Sequence, residues 1–437
     1  MNTVSRKNLF ILSFTLLVVM LGYGMVMPIM PFYIEHFGAG GTELGWLMST
    51  YSLMQLICAP VWGILSDRYG RKPILSIGVL GYAVTLFMFG IAQSFVMLFI
   101  ARSLSGILSS ATMPTAMAYI GDNTPQKEKS KGMGQLGAMV GVGVILGPLM
   151  GGLLSSDSLS LPFFVGSGLA FLALLLVIFW LPESRFASPS TGNLPSLNEQ
   201  TQSSESALHR TGEPTSLNEG NPEGEPDSAK SGAMHPLRTR DIYLRVLLSP
   251  AGILLLLIFI MSFGMTNFQG MIGLYVVDKF AFNTKQVGAI WMVMGFILII
   301  AQGGLVGPLT NKLGDLTLIK IGLLGGAVGF ILVALAFDYL TTLLALGFFI
   351  LTLALIGPAL NSYISNFAGE HQGTVMGLNS AATSLGRVVG PLWGGYIYDI
   401  NIEYPFFSGA VTLLLGLLVS LLGFRHQPSG NLKHVEG

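Results

Sequence analysis

The chain has 437 residues, 51% of them hydrophobic and 10% charged, with 22 basic and 22 acidic residues in balance. A water-soluble domain carries about 25% charged residues, so this composition excludes a surface built for water and points to the lipid bilayer. Zero net charge offers nothing to nucleic acid, and the lone Cys58 excludes an internal disulfide, a cysteine metal cluster and a CxxC redox site.

A bilayer core of about 30 Å takes roughly 20 apolar residues per helix. Such stretches lie at 8–33, 44–65, 73–92, 95–120, 132–154 and 162–181, and again at 250–277, 285–309, 317–336, 340–366, 373–396 and 404–424. Twelve transmembrane helices are therefore expected. The first follows Arg6 and Lys7 as a signal peptide would, but it is too long and lacks a small-x-small cleavage site, so it is expected to remain a membrane helix. Between the sixth and seventh spans, 183–245 is rich in Ser, Pro, Glu, Gly and Asn and almost free of aromatics. Such a segment buries too little apolar surface to fold and reads as a disordered linker. Its repeated Ser-Leu-Asn-Glu, at Ser196–Glu199 and Ser216–Glu219, fits drift in a loop better than a docking motif. Residues 427–437 read as a tail. Of the 22 Lys and Arg, only Lys279 and Lys285 fall in loops on one side, and only Arg102 and Arg387 within spans. By the positive-inside rule both termini and the linker are cytoplasmic.

A glycine pattern occurs twice. Gly134, Gly143, Gly147, Pro148, Gly151 and Gly152 in the fifth span follow G-x8-G-x3-G-P-x2-G-G, and Gly377, Gly386, Gly390, Pro391, Gly394 and Gly395 repeat it in the eleventh. A second pair shares nearly the same offset. Gly63-Ile-Leu-Ser-Asp67-Arg68-Tyr-Gly70-Arg71-Lys72 follows the second span, and Gly307-Pro-Leu-Thr-Asn311-Lys312-Leu-Gly314-Asp315 follows the eighth. The chain is thus two related six-helix halves, residues 1–182 and 246–426, an architecture used for alternating access with the substrate between the halves.

These residues carry a resemblance. The Gly63–Lys72 loop resembles the signature of the major facilitator superfamily, and the Gly134–Gly152 pattern is similar to the element of its export antiporters. Leu21-Gly22-x5-Pro28-x2-Pro31 and Arg102-x3-Gly106 resemble further signatures of the twelve-span drug:proton antiporters. With Ser262-Phe263-Gly264 and Tyr404-Pro405-Phe406, the likeness is nearest to the multidrug efflux pumps of Gram-positive bacteria. It implies an all-α fold of two pseudo-symmetric halves in the cell membrane. It also implies export of amphipathic drugs or dyes in exchange for protons. In the loop it implies that Asp67 sits at a helix N-terminus of the other half, where the dipole favours a carboxylate, and that Arg71 pairs with Asp122 to latch the cytoplasmic side. By the same analogy Tyr23, Met27, Phe263, Asn267, Gln269 and Asn361 line the cavity. The 21 methionines suit an adaptable site.

The sequence departs from that family where coupling is concerned. Glu35, His36, Glu43, Asp278, Asp338, Asp399 and Glu403 lie at outer ends of spans, and Asp67, Asp122, Asp315, Glu370 and His371 at inner ends, so no acid lies deep. Gln269 stands where related pumps carry an acid, and another acid is replaced near Ala354. The remaining coupling candidates are Arg102, Glu35 and Asp278. Arg102 and Arg387 are expected about 10–15 Å deep at 1.5 Å per residue. Arg387 either snorkels to a rim acid such as Asp399 or makes the cavity favour anionic, zwitterionic or neutral amphiphiles. An uncoupled facilitator, an uptake carrier and an exporter of anionic or lipid-like amphiphiles stay open. A nucleotide-driven pump needs GxxxxGK[ST] and an enzyme needs a buried catalytic cluster. Neither pattern occurs, and no cofactor or metal is expected.

Overall fold

The computed structural model describes residues 3–124, 126–184, 250–367 and 372–424. The expected linker, past its first two residues, and the tail at 427–437 lie outside the described residues, as do Glu370 and His371. Every regular element within them is helical. The first half comprises α1 (Thr3–His36), α2 (Gly41–Tyr69), α3 (Arg71–Gly90), α4 (Phe95–Ser109), α5 (Thr112–Asn123), α6 (Gln126–Leu154) and α7 (Leu161–Trp180). The second comprises α8 (Pro250–Phe280), α9 (Thr284–Ile300), α10 (Val306–Leu313), α11 (Asp315–Ala334), α12 (Tyr339–Phe367), α13 (Gln372–Tyr398) and α14 (Tyr404–Gly423).

Eleven of these stretches are long and apolar enough to cross a membrane. The expected eleventh span, α13, is a 27-residue helix that falls short of them in apolarity. Asn379, Ser380, Thr383, Ser384 and Arg387 dilute it, and it runs between α8 and α2. Two spans are interrupted. The fourth breaks between α4 and α5, where the Ser110 hydroxyl returns to the Ile107 carbonyl at 2.7 Å and Pro114 has no N–H for the Ser110 carbonyl. The eighth passes from α9 to α10 through a π turn at Ala301–Leu305 that holds Gly303 and Gly304. Phe10, Phe179 and Leu335 are all more than 60% exposed, as expected of faces that meet lipid chains.

The halves are built alike. Helix α1 packs on α6 and α7 as α8 packs on α13 and α14, and α3 meets α7 as α11 meets α14. The duplicated loops also match: Gly70 (φ 103°, ψ 158°) and Gly314 (φ 79°, ψ 154°) make the same turn. Positive φ is open to glycine and strained for other residues.

Across the halves, α2 pairs with α13 and α6 with α9. The end bearing the α2–α3, α5–α6 and α10–α11 turns holds Arg68, Arg71, Lys72 and Lys312 and is the basic end; the opposite one is the far end. At the far end the backbones touch. A Cβ on Gly152 would stand 2.5 Å from the Thr284 carbonyl oxygen and 2.9 Å from the Gly288 Cα, and one on Gly395 would overlap the Gly41 carbonyl. Ser49 Oγ donates to the Val388 carbonyl at 2.7 Å, and Thr284 Oγ1 to that of Gly152 at 3.2 Å. Toward the basic end the contact is lost. Nothing lies within 4 Å of a Cβ placed on Gly134, Gly137, Gly303, Gly307 or Gly377.

One far-end contact involves a charged group. The N-cap of α2 is Gly40, which has no side chain to receive the free N–H groups of the first turn. Asp399, at the end of α13, takes that part, accepting from Gly41 N at 2.7 Å and Thr42 N at 3.0 Å and from Thr42 Oγ1. Losing a helix cap costs about 1 kcal/mol, so Asp399→Ala is expected to lower the far-end-closed to far-end-open ratio about fivefold. A cysteine replacing the buried Met48, in a Cys58→Ser background, reports this through faster labelling by a membrane-impermeant maleimide from the far side. Unchanged labelling would remove Asp399 from the seal.

Candidate functional site

Between the halves lies a central cavity in two adjacent parts that share Tyr23, Met27 and Gln269 in their walls. The larger, about 80 Å³, is walled by Pro148, Met265, Trp291 and Met294, and the smaller, about 30 Å³, by Met48, Tyr51, Arg102, Thr266 and Arg387. The smaller part has room for about two waters.

Gln269 reaches the cavity because of its neighbour. Phe268 is fully buried and packs its ring 4.4 Å from that of Phe349 within the second half. One residue on, about 100° around the helix, the side chain of Gln269 turns inward. Thr266, one turn earlier, shares that face, its hydroxyl donating to the carbonyls of Ser262 at 2.8 Å and Gly386 at 3.0 Å.

Arg102 is 2% exposed. Its guanidinium lies 4.4 Å from the Tyr51 ring centroid and 5.9 Å from that of Tyr23, and Nη2 reaches Met48 Sδ at 3.6 Å. Its Nε has no hydrogen-bond partner. Placing an arginine at membrane depth costs about 2.5–3.5 kcal/mol on insertion scales, whereas a desolvated cation–π contact returns about 2 kcal/mol. Tyr51, the nearer ring, therefore leaves part of the cost unmet. Arg387 lines the same pocket, is exposed to it, and among the described residues neither arginine makes an ion pair with a carboxylate. Asp399, the rim acid considered for Arg387, is engaged at the N-terminus of α2.

Other candidates lie elsewhere. Phe263 is 8% exposed and borders a groove with Trp393 and Tyr404. Asn267 is fully buried and donates to the Pro405 carbonyl at 2.8 Å. Both occupy the α8 face turned to α13 and α14 rather than the cavity. Asn361 is exposed and accepts from Asn379 Nδ2 at 3.0 Å, apart from the cavity-lining residues. Glu35 is exposed at the far end beside His36, whose ring meets that of Phe37 at 5.2 Å. Asp278, also exposed there, accepts from the Tyr398 hydroxyl at 2.6 Å. Tyr51, Met48, Thr266 and Trp291 were not anticipated. The only sign of Tyr51 was the polar run Ser49-Thr50-Tyr51-Ser52 inside an apolar stretch.

At the basic end Arg71 gathers the loop. Its Nε donates to Asp122 Oδ2 at 2.9 Å, and its Nη1 contacts Asp67 Oδ1 at 2.5 Å and Ser66 Oγ at 3.1 Å. The Asp67 side chain is 69% exposed and is paired here within its own half, not at a helix N-terminus of the other, because the basic ends are apart. Arg68 is exposed and stacks on Tyr69 at 5.5 Å, and Gly63 has open space around it.

The two glycine motifs divide into two kinds of contact. A Cβ on Gly143 would lie 2.9 Å from the Leu17 carbonyl oxygen, and on Gly151 2.9 Å from that of Met25, both on α1. Gly147 lies as close to Leu21 and Gly24. Gly386, Gly390 and Gly394 meet α8 in the same way at Phe259, Phe263 and Asn267. The last glycine of each motif, Gly152 or Gly395, faces the opposite half. Pro148 and Pro391 border the central cavity from the two sides.

Comparison with known proteins agrees with this geometry. The family model of the Major Facilitator Superfamily matches residues 12–391 and 305–437. Multidrug resistance protein 2 of Bacillus subtilis is 31% identical over 418 residues, 95% of either chain. Quinolone resistance protein NorA of Staphylococcus aureus is 29% identical over 431 residues, 97% of this chain and 98% of its own. Among solved structures, a bacterial homologue of the human lysosomal transporter Spinster, in an inward-facing and unoccupied conformation, superposes with a TM-score of 0.72 at 14% identity, covering 97% and 98% of the two chains.

Proposed function

The chain belongs to the Major Facilitator Superfamily, and on that footing we propose that it exports amphipathic small molecules across the cell membrane by alternating access, in exchange for protons. Residues 1–182 and 246–426 are the two moving halves, joined by the 183–245 linker on the cytoplasmic side with both termini. Lys and Arg concentrated at the basic end support that orientation, and make the arrangement described above the inward-facing one. The observation that carries the reading is a cavity lined by both halves, with glycine backbones in contact across the halves at the far end and open space around the glycines toward the basic end. Relatives named for multidrug and quinolone resistance give the same direction of transport. Substrate enters from the cytoplasm and meets Tyr23, Met27 and Gln269. The halves rock, Asp67, Arg71 and Asp122 close the basic end, and the seal between α2 and α13 parts.

Proton exchange has no carboxylate to use among the cavity-lining residues. It runs through Asp278 or Glu35 at the far end, or through the surroundings of Arg102. The same observation favours a second reading, an uncoupled facilitator. Dye movement in everted vesicles, with and without an imposed pH gradient, separates them. Antiport is expected to raise dye accumulation when the lumen is acid and to lose it when the gradient is dissipated. Movement that ignores the gradient would leave the facilitator.

A further inference from the structure

We infer that the central cavity binds a monoanionic amphiphile, its acidic head between Arg102 and Arg387 and its apolar body against Trp291 and the neighbouring methionines. This rests on the transport reading only for the expectation that the bound anion is then moved.

Three observations carry it. The two ionisable side chains of fixed charge in the cavity wall are both cations, and among the described residues neither has a carboxylate partner. Arg102 lines the pocket and is 2% exposed, so its charge is held away from bulk solvent. Among the buried polar atoms beside the smaller part, Arg102 Nε is without a hydrogen-bond partner. It can only donate. A buried donor without an acceptor is costly, and a carboxylate, sulfonate or phosphate diester supplies acceptor oxygens and a countercharge together. The smaller part, with room for about two waters, takes two oxygens of such a head. The larger, edged by Met27, Met265, Met294 and Trp291, accepts an aromatic or alkyl body. A cationic amphiphile would bring a third positive charge to a wall with no acid to receive it.

The test is calorimetric titration of the full chain in phosphatidylcholine nanodiscs with naphthalene sulfonate, and with naphthylmethylammonium as a cation of matching body. The sulfonate is expected to bind at least about tenfold more tightly. Arg387→Gln is expected to weaken the sulfonate about 10- to 100-fold, the loss of one charge-assisted hydrogen bond, and to strengthen the ammonium, if anything, by removing a like charge. Arg387→Lys should recover part of the loss, and Arg387→Glu should reverse the preference. Equal affinity for the two probes, no sulfonate binding, or sulfonate affinity untouched by Arg387→Gln would each overturn the inference. Competition by a short-chain phosphatidylglycerol marks the anion as a lipid headgroup, and its failure to compete marks a soluble organic acid; either fits an anion site. Sulfonate that binds but is not moved by proteoliposomes would sink the export reading while leaving the binding site standing.

Discussion

Replacing Gly152 and Gly395 together by valine is expected to give a folded protein that transports at least about tenfold more slowly. Each position is the last glycine of its motif, and each touches the opposite half through backbone atoms that cannot swing aside. The Thr284 carbonyl, the Gly288 Cα and the Gly41 carbonyl would each have to retreat. Overpacking of this kind costs about 1–3 kcal/mol per site, and it falls on the far-end-closed arrangement, because the atoms nearest each added Cβ belong to the opposite half. One such site lowers the closed-to-open ratio about 5- to 150-fold. The cycle cannot run without that state. Dye efflux and thermal unfolding of the same preparation check the two parts: efflux should collapse while the unfolding midpoint stays within about 2 °C of the parent. Efflux at the parent rate would mean that these glycines do not form the seal.

Gly147→Val is expected to do the opposite. Gly147 sits between α1 and α6 inside one half, its missing Cβ directed at the Leu21 carbonyl and 2.9 Å from the Gly24 Cα. The helices it separates make the main packing of that half, so a valine lowers stability by about 3 kcal/mol or more. It should appear as lost yield and an unfolding midpoint several degrees lower. Gly390→Val, against Phe263 and Thr266 in the second copy, should match it. Gly134→Val and Gly377→Val, in the same motifs but with open space around them, should leave the midpoint unchanged. A uniform loss across all four would show that the motif acts through helix flexibility rather than through close approach.

The contrast also shows how far the residues could be read in advance. Spacing revealed that the glycine motif is duplicated, because identity of pattern is a property of the chain. It could not reveal that Gly147 packs within a half and Gly152 between halves, since both are glycines five residues apart. Apolar length located eleven spans, whereas α13, which runs beside α2 and α8 and lines the cavity, falls short of the others in apolarity. The Ser110 break and the π turn were invisible to a count of apolar residues.

Arg102 and Arg387 stood out because a charge in an apolar run is conspicuous. Helix α8 gave no such help. It buries one face in its own half and turns another to the cavity, so almost all its positions are apolar and no period distinguishes the faces. The resemblance places Phe263, Asn267 and Gln269 together at the cavity, whereas of the three only Gln269 shares the face of Thr266 that lines it. Trp291 carries no mark in the sequence that sets it apart from the other apolar residues of α9.

Two distances measured on the two ends of the molecule test alternating access most directly. Cysteines replacing Ser156 and Lys285, exposed on either side of the α6–α9 seal, report the far end. Ser130 and Lys312, exposed on α6 and α10, report the basic end. Spin labels on each pair, in a Cys58→Ser chain reconstituted in proteoliposomes, give distances by double electron–electron resonance. With the transported dye present under an imposed proton gradient, the far-end distance should lengthen as the basic-end distance shortens. Two distances that stay fixed, or that change in the same direction, would contradict a protein whose halves rock about the cavity between them.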